Sequence, residues 1–128
     1  MAQVLLVGFA GGLGTVARYV VGLWAAKTLG TGFPYGTLLV NVAGCFLMSF
    51  IAELALSTAL IPPTLRLTLA TGFLGGFTTY SSFNQETTHL LRQPAWLTGA
   101  ANLGVTLVGC FVAGLLGLAL AKRIALLV

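Results

Sequence analysis

The chain has 128 residues, of which 58% are hydrophobic and only 6% are charged, with a formal net charge of +4. Soluble domains carry about 25% charged residues, so this composition predicts an integral membrane protein. There is no Asp, and the only carboxylate side chains are Glu53 and Glu86, which argues against paired-carboxylate hydrolysis and a carboxylate-held divalent metal. No nucleophile–base pair can be assembled and no basic run is present, so neither an enzyme nor a nucleic-acid partner is expected.

Four apolar segments, residues 4–26, 36–60, 64–91 and 96–121, are each long enough to cross a bilayer. About 20 helical residues span its hydrocarbon core of about 30 Å. Turn-forming residues separate the segments at 30–34, 62–63 and 92–94. We therefore predict an all-α integral membrane protein with a single four-helix transmembrane domain over residues 1–128.

The first segment contains Gly12-x-Gly14-x-x-Ala17, a spacing that imitates a dinucleotide-binding fingerprint. A true fingerprint needs a strand before the turn and an acidic residue about 20 positions later, and both are missing. We instead predict a small-residue helix face, with Gly8 and Gly12 allowing a neighbouring helix to approach closely. Arg18 lies deep in this segment, where it either extends toward the membrane surface or attracts an anion.

The second segment places Asn41 four residues after Thr37, on the same helix face. An Asn amide inside the membrane either donates to an anion or hydrogen-bonds to another helix. From position alone we favour the interhelical bond.

The third segment organises the chain, because residues 71–87 combine three glycines with hydroxyls, two amides and a carboxylate inside an apolar stretch. Irregular backbone and polar side chains survive in a membrane mostly where they line a cavity or pack against protein. We predict that this helix is broken mid-membrane near residues 75–79. Beyond the break, Tyr80 and Phe83 are three residues apart and share a helix face.

The fourth segment carries two faces that differ in character. A mildly polar stripe with a spacing of four is formed by Asn102, Thr106 and Cys110. A neighbouring face of small residues is formed by Ala113, Gly117 and Ala121. Helix packing alone accounts for either face.

The loop charges are nearly balanced across the membrane. With both termini in the cytoplasm, three cationic residues lie inside and two lie outside, namely Arg66, Lys122 and Arg123 against Lys27 and Arg92. This is a weak orientation signal under the positive-inside rule. Such a chain is able to insert in both directions and to pair as an antiparallel dimer.

Residues 72–83, Gly-Phe-Leu-Gly-Gly-Phe-Thr-Thr-Tyr-Ser-Ser-Phe, closely resemble the Gly-rich, Thr-Thr-Phe-Ser-Thr-Phe signature of the Fluc (CrcB) fluoride channel family. Residues 36–41 resemble that family's second-helix motif, and a first-helix glycine cluster before Arg18 also fits. The resemblance covers essentially the whole chain. It implies an antiparallel, dual-topology homodimer with two fluoride pores. It also implies a structural sodium ion held by the backbone carbonyls of Gly75 and Thr78 from both subunits.

The resemblance further implies which residues line each pore. The family's pore asparagine corresponds to Asn41, and its two pore phenylalanines correspond to Tyr80 and Phe83. Hydroxyl groups complete the expected pore at Thr37, Ser81, Ser82 and Thr106, and Arg18 biases its vestibule toward anions. The chain departs from the family pattern at Tyr80, which adds a phenolic donor, and along the fourth helix, where Cys110 and Gly114 replace frequent hydroxyl residues.

These features favour a fluoride-selective channel that passively exports cytoplasmic fluoride across the inner (plasma) membrane of a microbial cell and confers fluoride resistance. The alternative is a proton-coupled transporter like the small multidrug resistance family. That mechanism relies on a membrane-embedded Glu in the first helix, whereas this first helix carries Arg18. A structural membrane subunit without transport of its own is a third hypothesis.

Overall fold

The computed structural model describes residues 1–92 and 94–128, and every regular element in them is helical. The elements in chain order are α1 (Ala2–Leu29), α2 (Tyr35–Ser57), α3 (Pro63–Leu67), a π-helical segment (Thr68–Leu74), α4 (Gly75–Phe77), α5 (Tyr80–Arg92) and α6 (Trp96–Ala125). Pro34 precedes α2, and Pro63 is the first residue of α3. Proline fits these positions because the first turn of a helix needs no amide donor. Within the predicted break at 92–94, Gln93 lies outside the described residues.

Three of these helices, α1, α2 and α6, are long and apolar enough to cross a membrane. Their most apolar stretches have mean hydropathies of 1.7, 2.0 and 2.3, yet only 11%, 22% and 17% of those residues are buried inside the chain. A soluble protein buries its most apolar helices, whereas lipid surrounds such helices in a membrane. The three helices correspond to the first, second and fourth predicted segments, although α2 ends at Ser57, before the predicted end at residue 60. The chain is a multi-pass membrane protein.

The third predicted segment, residues 64–91, is divided among several short helical pieces. Helix α4 ends at Phe77, Thr78 is extended with φ −84° and ψ 159°, and α5 begins at Tyr80. Residues 63–77 are helical without a break and α5 covers Tyr80–Arg92, so each part is shorter than the roughly 20 residues that a single crossing needs. A fourth crossing built from these pieces together therefore stays a prediction.

Helix α1 packs against the π-helical segment and α4 through contacts that only glycine permits. A Cβ atom on Gly14 would collide with the backbone of both elements, and one on Gly76 would collide with the Gly11 carbonyl. The prediction that Gly8 and Gly12 form the contact face is wrong within the chain, because a Cβ on either residue would meet open space. Helical periodicity identifies a face of small residues, but it does not say which face meets a neighbour.

Helices α2 and α6 form a second close pair and run parallel to each other. A Cβ on Gly109 would lie 3.4 Å from Val42. Further along both helices, a Cβ on Gly117 would collide with the Phe46 carbonyl. Contacts that advance in the same direction on both helices require a parallel arrangement. The predicted small-residue face of α6 is buried against the chain at Ala113, Gly117 and Ala121.

Gly14→Ala should destabilise the fold, because the added methyl group would overlap backbone atoms of the neighbouring pieces. Overpacking typically costs about 1–3 kcal/mol, and backbone atoms yield less readily than side chains. Gly12→Ala is the matched control, since its methyl group enters open space and Ala is the better helix former. Thermal unfolding of both purified variants in detergent makes the comparison. Equal unfolding temperatures would contradict this packing.

Candidate functional site

The interruption between α4 and α5 is held by one side chain of α2. In a continuous helix the Thr79 N–H would donate to the Gly75 carbonyl four residues earlier. Here it donates to Oδ1 of Asn41 at 2.8 Å, and Nδ2 of Asn41 donates to the Thr79 carbonyl at 3.0 Å. Both residues are buried, so the Asn41 amide satisfies two backbone groups that would otherwise lack partners. The interhelical bond that the sequence favoured for Asn41 is present.

Two further contacts, one of Thr78 and one of Thr79, hold the interruption in place. On α2, Gly44 leaves room for the Thr78 methyl group, which would collide with any side chain placed there. Oγ1 of Thr79 accepts a hydrogen bond from the Ser82 N–H at 3.2 Å, so Thr79 caps the amino terminus of α5. The same hydroxyl donates to Oγ of Ser82 at 3.0 Å and lies 3.3 Å from Oγ of Ser81. One residue therefore closes the interruption and starts the next helix.

The two residues predicted to bind sodium, Gly75 and Thr78, lie at the start of α4 and directly after its end. Because the Thr79 amide bonds to Asn41, the Gly75 carbonyl lacks its usual helical donor. The Thr78 carbonyl accepts from Nη1 of Arg18 at 3.4 Å. Carbonyl oxygens at a helix interruption are hard ligands that suit a cation such as sodium. One of the two predicted sodium ligands, the Thr78 carbonyl, is thus bonded to the Arg18 guanidinium.

A cavity of about 320 Å³, which we name the Phe83 cavity, lies between α2, the interruption, α5 and α6. Its lining brings together four of the predicted pore residues, namely Asn41, Tyr80, Phe83 and Thr106. The ring centroids of Tyr80 and Phe83 are 5.7 Å apart, with the ring planes inclined at 56°. Phe83 is 4% exposed and Tyr80 is 75% exposed, so one ring closes the cavity inside the chain and the other forms its outer rim.

A second cavity, the Arg18 cavity, has a volume of about 300 Å³ and also reaches Thr79. It brings together three more of the predicted pore residues, namely Arg18, Thr37 and Ser82. Ser81 is exposed and lines neither cavity. Within one chain the predicted pore residues thus form two groups that meet at Thr79, and a single path through both stays a prediction.

Glu86 is a site residue that the sequence analysis did not assign. Oγ1 of Thr37 donates to Oε1 of Glu86 at 2.8 Å, while the buried Oε2 has no hydrogen-bond partner among the described residues. Both residues line a third cavity of about 330 Å³ beside the loop between α1 and α2. Helical spacing could have indicated this pair, because each member shares a helix face with a predicted pore residue. Glu86 lies three residues after Phe83, and Thr37 lies four residues before Asn41.

A chain of hydrogen bonds joins α5 to α6 beside the Phe83 cavity. The Thr87 hydroxyl donates to the Phe83 carbonyl at 2.7 Å, so it has only lone pairs left for Nδ2 of Asn102, which donates to it at 2.8 Å. This orientation turns Oδ1 of Asn102 toward Thr106, whose hydroxyl donates to it at 3.3 Å. All three polar side chains are buried. The polar stripe predicted on α6 therefore bonds to α5 at Asn102, and Thr106 is buried behind it with its hydroxyl on Asn102.

Similarity to known proteins extends over nearly the whole chain. Residues 5–118 match the family described as CrcB-like protein, Camphor Resistance (CrcB). The chain is 52% identical over 118 residues to "Fluoride-specific ion channel FluC" of Sorangium cellulosum (strain So ce56), covering 92% of this chain and 93% of that protein. It is 51% identical over 124 residues to the protein of the same name from Chlorobium chlorochromatii (strain CaD3), covering 97% and 95%. For the Geobacter metallireducens protein of that name, the identity is 42% over 124 residues, covering 97% and 100%.

Long helices with outward-facing apolar side chains, packed around an interrupted polar stretch, define a multi-pass helical membrane protein. The matches are more specific, because they cover more than nine tenths of the chain at identities of up to 52%. The chain belongs to the FluC (CrcB) family. The resemblance inferred from residues 72–83 is confirmed.

Replacement of Asn41 tests whether this side chain holds the interruption. Asn41→Ala would leave the N–H and the carbonyl of Thr79 buried without partners, at about 1–3 kcal/mol for each group. The unfolding temperature of the purified protein should fall accordingly. Asn84→Ala removes the same side chain from an exposed position of α5 and serves as the control. Similar unfolding temperatures for the two variants would show that Asn41 is not needed to hold Thr79.

Proposed function

We propose that the chain is a fluoride channel through which cytoplasmic fluoride leaves a microbial cell passively across the inner (plasma) membrane, conferring fluoride resistance. The observation that carries the proposal is the Phe83 cavity of this FluC-family chain. Four residues expected to face the anion converge there, namely Asn41, Tyr80, Phe83 and Thr106. The name of the relatives, fluoride-specific ion channel, supports fluoride as the permeating ion.

The Phe83 cavity offers the donors that such an ion needs. Fluoride is small and strongly hydrated, so a pore must replace its water ligands one by one. The Asn41 amide has two N–H hydrogens, and the Thr79 carbonyl takes one of them, which leaves the other for an anion. The edges of the Phe83 and Tyr80 rings carry positive partial charge and extend the same path.

We further propose that residues 63–92 form the fourth crossing, interrupted mid-membrane at Thr78 and Thr79, so that residues 1–128 make one four-helix transmembrane domain. Irregular backbone is tolerated at membrane depth only where it is buried in protein or faces a water-filled cavity. The hydrogen bonds from Asn41 to Thr79 support burial of the irregular backbone in protein. The two cavities beside Thr79 support its exposure to a water-filled space.

The proposed assembly is an antiparallel, dual-topology homodimer with two pores. The Phe83 cavity opens at the exposed Tyr80, and Gly75, which carries a predicted sodium ligand, is exposed as well. A second copy packed against these two residues would cover both. The loop charge count of three against two permits insertion in both directions, which an antiparallel pair requires.

A structural sodium ion at the dimer centre fits the donor set at the interruption. The carbonyls of Gly75 and Thr78 from two subunits would supply four hard oxygen ligands. When bound, the ion supplies a fixed positive charge where two interruptions meet. Binding requires the Arg18 guanidinium to leave the Thr78 carbonyl, because two cations repel each other at one oxygen.

The purified chain alone, reconstituted in liposomes, should release fluoride rapidly and retain chloride. This experiment separates the channel from the alternative of a proton-coupled transporter, in which efflux would be coupled to proton movement. The absence of a carboxylate from α1 already disfavours that alternative. An ion-selective electrode outside the liposomes measures the release. Retention of fluoride, or release only with proton exchange, would contradict the channel.

Aromatic variants in the same liposomes test the pore mechanism. Phe83→Ile should slow fluoride release strongly, because an aliphatic group has no positive edge. For comparison, the loss of one charge-assisted donor costs roughly 1.5–3 kcal/mol, or about one to two decades in rate. Tyr80→Phe restores the family residue and should keep or raise the flux. Phe9→Ile, exposed on α1 away from both cavities, controls for loss of a ring. If Tyr80→Phe abolished release and Phe83→Ile left it intact, the Tyr80 hydroxyl would be the group that contacts fluoride, and the aromatic-edge mechanism would be wrong.

Gly75→Val should abolish dimer assembly or fluoride release by disturbing the sodium site. The chain itself has room for the substitution, since the nearest atom to a Cβ on Gly75 is the Ala70 carbonyl oxygen at 3.9 Å. Gly104→Val, on an open face of α6, adds the same side chain elsewhere and serves as the control. Size-exclusion chromatography and fluoride release, each in sodium and in a large organic cation, provide the measurements. An intact, sodium-independent dimer and flux in Gly75→Val would refute the proposed site.

A further inference from the structure

Three sulfur atoms gather between α2 and α6. The chain has two Cys and two Met residues, and both cysteines and one methionine lie here. Cys45 and Met48 are three residues apart on α2 and share a face, while Cys110 lies opposite on α6. All three line the Phe83 cavity, and all three line an adjoining cavity of about 490 Å³ between the same two helices. The sulfurs therefore mark the junction of the two cavities.

The packing of the two helices brings the thiols to the same level. On α6, a Cβ on Gly109 would lie 3.4 Å from Val42, and one on Gly114 would lie 3.9 Å from the Cys45 carbonyl. Cys110 lies between these two glycines on α6, so the parallel register places it within about one turn of the level of Cys45, and both cysteines line the same two cavities. The two thiols are close enough to interact, and both cysteines are free.

We propose that Cys45, Met48 and Cys110 form a binding site for a soft monovalent metal ion, namely copper(I). Thiol and thioether sulfur are soft ligands that select copper(I), whereas harder cations require oxygen or nitrogen ligands. Among the residues that the structure describes, no three His, Cys, Asp or Glu side chains gather, which disfavours zinc and calcium. One thiol gives up its proton to solvent as copper(I) binds, so the charge of the site is unchanged.

The position of this site links it to anion flux. Asn41 and Phe83 line the same cavity as the three sulfurs, so a bound ion would occupy space beside the donors expected to receive fluoride. We therefore expect copper(I) to block fluoride release. This consequence rests on the proposed channel function, whereas the metal site itself does not.

The binding experiment uses the full chain, purified in detergent under reducing, oxygen-free conditions. Competition with a chromogenic copper(I) chelator should show one ion retained per chain. Cys45→Ser and Cys110→Ser should each weaken binding by about 10–100-fold, as loss of supporting contacts at metal sites already does. Met48→Leu conserves volume and removes the thioether, so it should weaken binding less. Ser49→Ala changes a residue of the adjoining cavity that carries no sulfur, and it should bind as the parent does.

Cys45→Ala and Cys110→Ala repeat the test without a hydroxyl, and size-exclusion chromatography establishes that each variant is folded. Retention of copper(I) by a folded chain lacking both thiols would overturn the site, as would an equal loss of binding in Ser49→Ala. In liposomes, copper(I) should lower fluoride release in the parent, and Cys110→Ser should need about 10–100-fold more copper(I) for the same fractional inhibition of its own metal-free rate. Copper(I) binding without any fluoride release would refute the channel and leave the metal site standing.

Discussion

The two hydrogen bonds between the Asn41 amide and the Thr79 backbone decide where α4 stops. They draw the Thr79 amide away from the Gly75 carbonyl, and they leave the Thr79 hydroxyl free to start α5. Because the amide satisfies a donor and an acceptor of one residue, the chain interrupts its helix inside the protein without an orphaned polar group at Thr79. The Phe83 cavity and the Arg18 cavity both reach this residue.

The approach of α2 to the interruption depends in turn on the absence of side chains. Gly44 lies one turn beyond Asn41 and receives the Thr78 methyl group, so α2 comes near enough for the Asn41 amide to reach the backbone. On the opposite side, Gly14 of α1 allows the same segment to press against a second helix. The segment around the interruption is therefore held between α1 and α2, both of which present glycine to it. This packing fixes the distance between α2 and the segment, and the Asn41 hydrogen bonds then fix the backbone conformation at Thr79.

The helices that the sequence predicted best are those whose signal is local. Apolar length identified α1, α2 and α6, and helical spacing placed Asn102 and Thr106 on one buried stripe. Within the chain, the contact face of α1 was misassigned to Gly8 and Gly12, because a helix with several glycine faces does not reveal which one meets a neighbouring helix. The pairing of Thr37 with Glu86 was missed for a related reason. Its two members are 49 residues apart, and only the folded chain brings α2 and α5 together.

The hydroxyl of Thr106 gives the Phe83 cavity a polarity of its own. Thr87 is committed to the Phe83 carbonyl, which turns Asn102 so that the Thr106 hydrogen points at Asn102 and away from the cavity. At rest, Thr106 therefore offers lone pairs to whatever enters, and lone pairs repel an anion. The bond that holds the hydrogen back is long, at 3.3 Å, and correspondingly weak. A water molecule can donate a hydrogen bond to the Thr106 oxygen without any rearrangement. An anion can bind there only after the Thr106 hydroxyl rotates so that its hydrogen points into the cavity.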